Sequence, residues 1–364
     1  MKRLLIWTNM YPTQSAPFYG TFVRSTEQAW RKTLGSENVT LVAIKEKPKS
    51  ALNKVALYAQ LLVRCSLSLF KNPAGTLIEI HYPVYFLPVL CLAKLVRKKH
   101  YIIMRFHGSD LKRLTKSRIF TGFFNFVKSD VDLYAVPSEY YRNKVSSELK
   151  LPIEQVIKVY PDCVGEGFFG SGEKAAALEK TVFNIGFVSR LEPMKNCHEL
   201  IEAFASINIS DARLTIAGDG SQRQYLEALV KDLGLNDRVT FLGAIAREKL
   251  PDIMGSFSVF VFPSISETES FGLVALEALA CSVPVIANDR LEAAAEYLIE
   301  GENGFFYGGG VQGLSKALEA FYHLPEAEKQ KLSLQASQVR QKFSYDNVFT
   351  AGVNKILSKQ QGSA

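Results

Sequence analysis

Short apolar runs, rich in β-branched residues, recur along this chain, and between them lie longer stretches in which apolar residues return every three or four positions. The first kind reads as a strand buried on both faces and the second as an amphipathic helix. Their alternation predicts parallel sheets wrapped by helices rather than a sandwich or a bundle. In the first half, strands are expected near 2–8, 39–45, 76–81, 100–106, 132–137 and 156–160. In the second half they are expected near 182–188, 212–217, 238–242, 258–262, 284–288 and 304–306. Two doubly wound α/β domains follow. The stretch DCVGEGFFGSGEKAAALEK at 162–180 interrupts the pattern with glycines and charges before TVFNIGFV resumes it, so the domain boundary is expected there, after residue 168.

Composition narrows the class. A chain of 364 residues, 47% hydrophobic and 22% charged, has room for two cores and lacks the signature of disorder. The five cysteines, Cys65, Cys91, Cys163, Cys197 and Cys281, are scattered with no C-x-x-C pair, which suggests neither a disulfide framework nor a zinc site and fits a reduced cytoplasm. MKRLLIWTNMYP has too short an apolar run for a signal peptide and is expected to be a first strand. The most hydrophobic segment, 82–96, contains Pro88 and Lys94 and falls short of the roughly 20 residues that cross a bilayer.

Charge is uneven. Residues 1–170 hold 25 Lys and Arg against 12 Asp and Glu, whereas residues 171–364 hold 18 against 24. The basic first half is expected to face a polyanion. Its clusters, RKKH at 97–100 and Lys112, Arg113, Lys116 and Arg118, adjoin Phe120, Phe123, Phe124 and Phe126. That mixture suits an anionic membrane surface, with a merely solvated basic surface as the alternative. No nucleic-acid module is present, and nucleic acid is not an expected partner. The placement expected is cytoplasmic, peripheral on the inner face of the cell membrane.

The most telling segment is ETESFGLVALE, at 267–277. A helix from about Ser270 places Glu269 at its start and Glu277 within it, roughly 12 Å apart along the axis at 1.5 Å per residue, the span of an extended ligand. Ser270, Phe271, Gly272 and Leu273 would offer unpaired N–H groups to a phosphate, and Gly272 would permit close approach. Because LVALEALA has no polar face, Glu277 needs a partner. Ribose hydroxyls would supply one, and an internal ion pair with a Lys or Arg would supply another.

This segment resembles the E-x7-E signature of the family 4 glycosyltransferases, which are retaining enzymes of the GT-B fold. FVSRLEPMKN at 187–196, AGDGSQRQYLE at 217–227, VTFLGAI at 239–245, RFHGSDL at 105–111 and PFYGTFV at 17–23 extend the resemblance, in the family's order, over nearly the whole chain. It implies two Rossmann-like domains facing a central cleft. Residues 1–168, completed by a closing helix at 344–364, would bind the acceptor, and residues 169–343 the nucleotide-sugar donor. Arg190 and Lys195 would contact the donor diphosphate, with a solvent-exposed pair as the plainer reading. Glu269 would contact the transferring sugar and Glu277 the ribose. Gly20 and Gly218 would lie near the phosphates or serve as turn glycines, and Leu242 and Gly243 would line the base. His107 would contact the sugar or else be structural, while His81 and Asp110 would lie on the acceptor side, Asp110 more simply as a helix cap. Ser189 and Asn196 stand where the family commonly has glycine.

The activity implied is transfer of a sugar from a UDP- or GDP-sugar to an acceptor hydroxyl, with no cofactor and no metal. A lipid-linked saccharide of cell-surface polysaccharide assembly is the expected acceptor. A GT-B sugar-nucleotide epimerase and a non-catalytic nucleotide-sugar-binding protein are the alternatives. The triplet Asp130-Val131-Asp132 matches the D-x-D that holds a metal in the other glycosyltransferase fold, but no further ligands cluster near it in sequence, and it is expected to be coincidental.

Overall fold

The computed structural model describes residues 2–13, 19–46, 49–97, 99–169 and 182–362. Parts of two expected features, the 162–180 break and PFYGTFV, lie outside these residues, as does Lys98. The chain divides into two units, Met1–Cys163 with Tyr345–Ala364, and Val164–Ser344.

The first unit holds β1 (Leu4–Thr8), β2 (Val39–Ala43), β3 (Leu77–His81), β4 (Tyr101–Arg105), β5 (Leu133–Val136) and β6 (Val156–Lys158), in the order β2-β1-β3-β4-β5-β6. Pairing is parallel throughout, with Leu4 beside both Val39 and Leu77. The chain steps from β1 outward to β2 and then back past β1 to β3. Right-handed crossovers therefore put helices on both faces, and the strands are apolar on both sides for that reason. Leu4 to Thr8 and Leu77 to His81 are buried at every position.

The second unit repeats the plan with β7 (Asn184–Val188), β8 (Arg213–Ala217), β9 (Val239–Gly243), β10 (Val259–Phe262), β11 (Val285–Asn288) and β12 (Gly304–Tyr307), in the order β12-β11-β10-β7-β8-β9. Strand order reverses between β1 and β3 in the first sheet and between β7 and β10 in the second. Loops leaving the carboxyl ends of such strands diverge and open a crevice, so these two places position ligand sites.

The break falls after Cys163 rather than after 168. Val164 N–H donates to Phe343 O at 3.0 Å, and the buried Phe168 ring lies 5.6 Å beneath the Arg247 guanidinium, so both residues pack with the second unit. The helix Ala351–Gly362 packs in the first unit, burying Val353 and Ile356, and Lys355 Nζ donates to Lys158 O at 3.0 Å.

Candidate active site

At the β7/β10 reversal of the second unit, the loop after β7 carries Arg190 and Lys195, and the loop after β10 carries Glu269. Arg190 is exposed. Its loop is zipped to the one after β8: Ser189 N–H donates to Ala217 O at 3.1 Å and Leu191 N–H to Asp219 O at 2.9 Å. Gly218 N–H donates in turn to Gly243 O at 2.7 Å, where a register shift ends the β8–β9 pairing. Gly218 has φ 141°, and a Cβ there would lie 1.8 Å from Ser189 O. Only glycine lets these backbones meet. Leu242 is exposed beside Gly243 at the end of β9.

Lys195 ends a tight turn, Pro193–Lys195, and Asn196 follows with φ 58°. Asparagine tolerates this left-handed conformation, which explains how it replaces the family's glycine. Its buried amide also donates to Glu199 Oε2 at 2.9 Å and Pro263 O at 3.2 Å, tying the loop after β7 to the loop after β10. Across this tie Lys195 Nζ forms an ion pair with the Glu269 carboxylate, both side chains about one-sixth exposed. The ammonium also lies 6.0 Å from the centroid of the Phe262 ring.

The helix begins at Leu273, three residues later than the sequence suggests, because Gly272 takes φ 84° and cannot belong to it. Glu269 therefore sits in a turn, its N–H donating to Ser266 O at 2.9 Å, and the 12 Å helical spacing to Glu277 does not apply. Ser270, Phe271 and Gly272 form the buried approach to the helix rather than its first turn. The Tyr297 hydroxyl holds that approach, 2.9 Å from the carbonyl oxygens of Phe271 and Gly272. Glu277 is buried, and Arg247 Nη2 lies 2.6 Å from its Oε1. Burial raises the Glu277 pKa, and Arg247 opposes the rise. The internal ion pair is the solution built here, and sequence reading missed Arg247.

In the first unit, Gly20, with φ 77°, precedes the helix Thr21–Leu34 and accepts from Val23 N–H at 3.0 Å. At the β1/β3 reversal, His107 Nε2 is 3.1 Å from His81 Nδ1, and its ring lies 4.6 Å from Phe22 and 5.0 Å from Tyr82 between centroids. His81, expected on the acceptor side, has no exposed surface. It is the last residue of β3, enclosed behind His107 and 6.1 Å from the Phe22 ring between centroids. Behind it, His81 Nε2 is 3.4 Å from Glu79 Oε1, which Arg105 Nε approaches to 2.7 Å, while Trp30 Nε1 donates to Glu79 Oε2.

Glu79 is the anchor of this chain. Burial pushes its pKa up, but Arg105, His81 and Trp30 outweigh that and hold it at about 2. Burial lowers the pKa of both histidines, so both are neutral at pH 7. The Glu79 carboxylate faces Nε2 of His81, and between His81 Nδ1 and His107 Nε2 one nitrogen donates to the other.

Asp110 accepts from the backbone N–H groups of His107, Gly108 and Leu111, each at 2.9 Å, and so fixes the turn that carries His107. It is not the helix cap, since Gly108 holds that position and Asp110 is the second residue of the helix Ser109–Lys116. It also lines a cavity of about 620 Å³ with Asn9, Tyr19, Tyr58, Tyr82 and Arg113. The D-x-D residues are engaged elsewhere: Asp130 pairs with Lys94 at 2.8 Å, and Asp132 accepts from Ile102 N–H at 2.8 Å. Among the described residues no group of three or more His, Cys, Asp or Glu side chains could hold a metal.

Residues 173–338, which include Arg190, Lys195, Gly218, Arg247, Glu269 and Glu277, match the family model Glycosyl transferases group 1. An uncharacterized glycosyltransferase of Methanocaldococcus jannaschii is 31% identical over 233 residues, 62% of this chain and 60% of that protein, so the match spans less than two thirds of the relative's length. Sucrose-phosphate synthase from Thermosynechococcus elongatus superposes with a TM-score of 0.75 at 19% identity, covering 100% of both chains. Anabaena HepE in complex with UDP-glucose gives 0.72 at 20% identity, covering 98% of this chain and 100% of that one. The two parallel six-stranded sheets with their helices are thus the GT-B fold, and the chain carries a glycosyl transferases group 1 domain over residues 173–338.

Proposed function

We propose that the protein is a retaining glycosyltransferase that moves a sugar from a UDP- or GDP-sugar to an acceptor hydroxyl without a metal ion. The observation that carries this reading is the Lys195–Glu269 ion pair at the β7/β10 reversal, with the helix Leu273–Ala280 opening beside it. An ammonium and an exposed guanidinium, Arg190, at the carboxyl end of β7 suit a diphosphate whose charge grows as it departs. Glu269 stands in that site as the anion for the transferring sugar, and Glu277 keeps Oε2 for a ribose hydroxyl while Arg247 holds Oε1. The bond from the anomeric carbon to the phosphate oxygen breaks, a bond to the acceptor oxygen forms on the same face, and the acceptor proton passes to the departing phosphate oxygen. Likeness to a protein solved with UDP-glucose supports a uridine donor.

The acceptor binds in the first unit, in the cavity lined by Tyr82, Ser109 and Asp110. In this reading it is a lipid-linked saccharide of cell-surface polysaccharide assembly, presented at an anionic membrane on the cytoplasmic side. A saturation-transfer NMR screen of UDP- and GDP-sugars tests the donor half. One nucleotide series gives contacts from both base and sugar protons, and Glu277→Ala weakens them. Absence of binding to either series overturns the proposal.

A further inference from the structure

The helix Ala51–Lys71 buries Leu61, Cys65 and Leu69 in the first unit's core. Its opposite side should then be polar. Instead Leu52, Val55, Ala59, Val63, Leu67 and Phe70, three or four residues apart, form one exposed apolar stripe along its full length, with Leu52 84% and Val55 68% exposed. Two neighbours widen it. The helix Leu87–Leu95 exposes Leu92 and Leu95, and the helix Arg118–Val127 exposes Ile119, Phe123 and Phe126. These helices follow β2, β3 and β4, whose crossovers all run in one direction across the sheet, so the three lie on the same face of it. A shallow apolar groove of about 340 Å³ separates the first two, with Val63, Leu67, Phe70, Pro88 and Leu92 on its walls. An apolar patch continuous over three helices marks a contact surface.

The charges around the patch say what covers it. From Lys47 to Ser129 the chain has 15 Lys and Arg and two acidic residues, Glu79 and Asp110, both buried. Lys71, Arg97, Lys99, Lys116 and Arg118 are exposed at helix ends or in the adjoining turns. The next acidic residue along the chain, Asp130, is held by Lys94. Two copies of such a face would press like charges together. An anionic bilayer meets both components, since its headgroup layer is negative and its acyl boundary apolar. No helix among the described residues is long and apolar enough to cross a membrane, so the contact is one that lies on the surface.

We propose that this three-helix face docks the protein on an anionic bilayer, the apolar stripe entering the boundary between headgroups and acyl chains while the flanking Lys and Arg meet lipid phosphates. The inference rests on the membrane placement in the proposed function. Its test uses no donor, acceptor or turnover, so failure of docking and failure of catalysis are seen separately.

Phe70→Trp supplies a probe, because the two native tryptophans, Trp7 and Trp30, are fully buried. Added phosphatidylglycerol-containing phosphatidylcholine vesicles shift the emission of Trp at position 70 to the blue, and brominated acyl chains quench it. In co-sedimentation the wild-type chain partitions onto these vesicles at least about tenfold more strongly than onto pure phosphatidylcholine. The pair Val63→Ser with Leu67→Ser, and separately the pair Lys71→Glu with Arg118→Glu, each lower partitioning by about tenfold with the thermal unfolding curve unchanged. Equal partitioning onto neutral and anionic vesicles, an unquenched probe, or full binding by either folded variant overturns the proposal. So does a solution dimer that the serine pair dissociates, which would assign the face to a second copy.

Discussion

Arg247 Nη2 lies 2.6 Å from Glu277 Oε1 and closes an ion pair between the turn that precedes β10 and the buried helix that follows it. Glu277 is enclosed, whereas Arg247 is two-fifths exposed. The Arg247 guanidinium, which also lies over the Phe168 ring, thus holds an enclosed carboxylate in one orientation.

Because the ribose changes little as the sugar departs, binding energy from Glu277 is shared by ground and transition states. Glu277→Ala should raise donor KM by about tenfold or more and leave kcat within a few fold, the loss of one or two hydrogen bonds to a charged group. Steady-state kinetics over a donor concentration series checks this. A folded Glu277→Ala enzyme with unchanged KM would reduce the ion pair to a structural one.

Lys195 and Glu269 should behave differently. Lys195→Ala is expected to lower kcat by on the order of 10² to 10³, the loss of one preorganised charge at a developing anion, and Glu269→Ala to act mainly on kcat as well. Since each is the other's partner, the double variant should lose less than the product of the two single losses. Single-turnover rates with saturating donor measure all three. Strict multiplicativity would mean that the two side chains act independently.

Gly218→Ala should destabilise the second unit by about 2 kcal/mol or more, because the new methyl meets a backbone oxygen that cannot rotate away. Gly122 offers the contrast. It lies within the helix Arg118–Val127 with nothing within 4 Å of an added Cβ, and Gly122→Ala should stabilise by about 0.5–1 kcal/mol. Urea unfolding midpoints of the two variants should move in opposite directions.

Strand positions were legible because strands covered on both faces must be apolar at nearly every residue, as in Leu4–Thr8 and Val259–Phe262. The Lys195 and Glu269 loops were legible through motif. Arg247 was not, since REK is an ordinary polar turn and its partner lies 30 residues away. The start of the helix at Leu273 was misjudged because the left-handed conformation of Gly272 is a property of its fit against Phe262 and Tyr297 rather than of the local sequence. Glu79 did leave a trace. A carboxylate in LIEIH, between apolar residues of a parallel strand, demands a buried cation, and Arg105 on the neighbouring strand supplies it, with His81 opposite Arg105 in the register.

Asp110 gives a pH signature. Burial raises its carboxyl to about 6 from 3.8, with the backbone N–H bonds of His107, Gly108 and Leu111 limiting the rise. The folded state therefore binds a proton more tightly than the unfolded one. This stabilisation is complete below about pH 3.8 and is lost as pH climbs through about 6. Relative to Asp110→Asn, which does not titrate, the wild type should lose ~2 kcal/mol of unfolding free energy between pH 4 and pH 7. Parallel pH dependence of the two proteins in urea unfolding would contradict the assignment.

The central claim, metal-free transfer with retention at the Lys195–Glu269 site, is tested most directly by following a UDP- or GDP-sugar by proton NMR with excess EDTA and a crude lipid-linked saccharide fraction. The account predicts nucleoside diphosphate release, a new anomeric signal of the same configuration as the donor, and loss of both in Lys195→Ala. An inverted product, or activity abolished by EDTA and restored by magnesium or manganese, would contradict it.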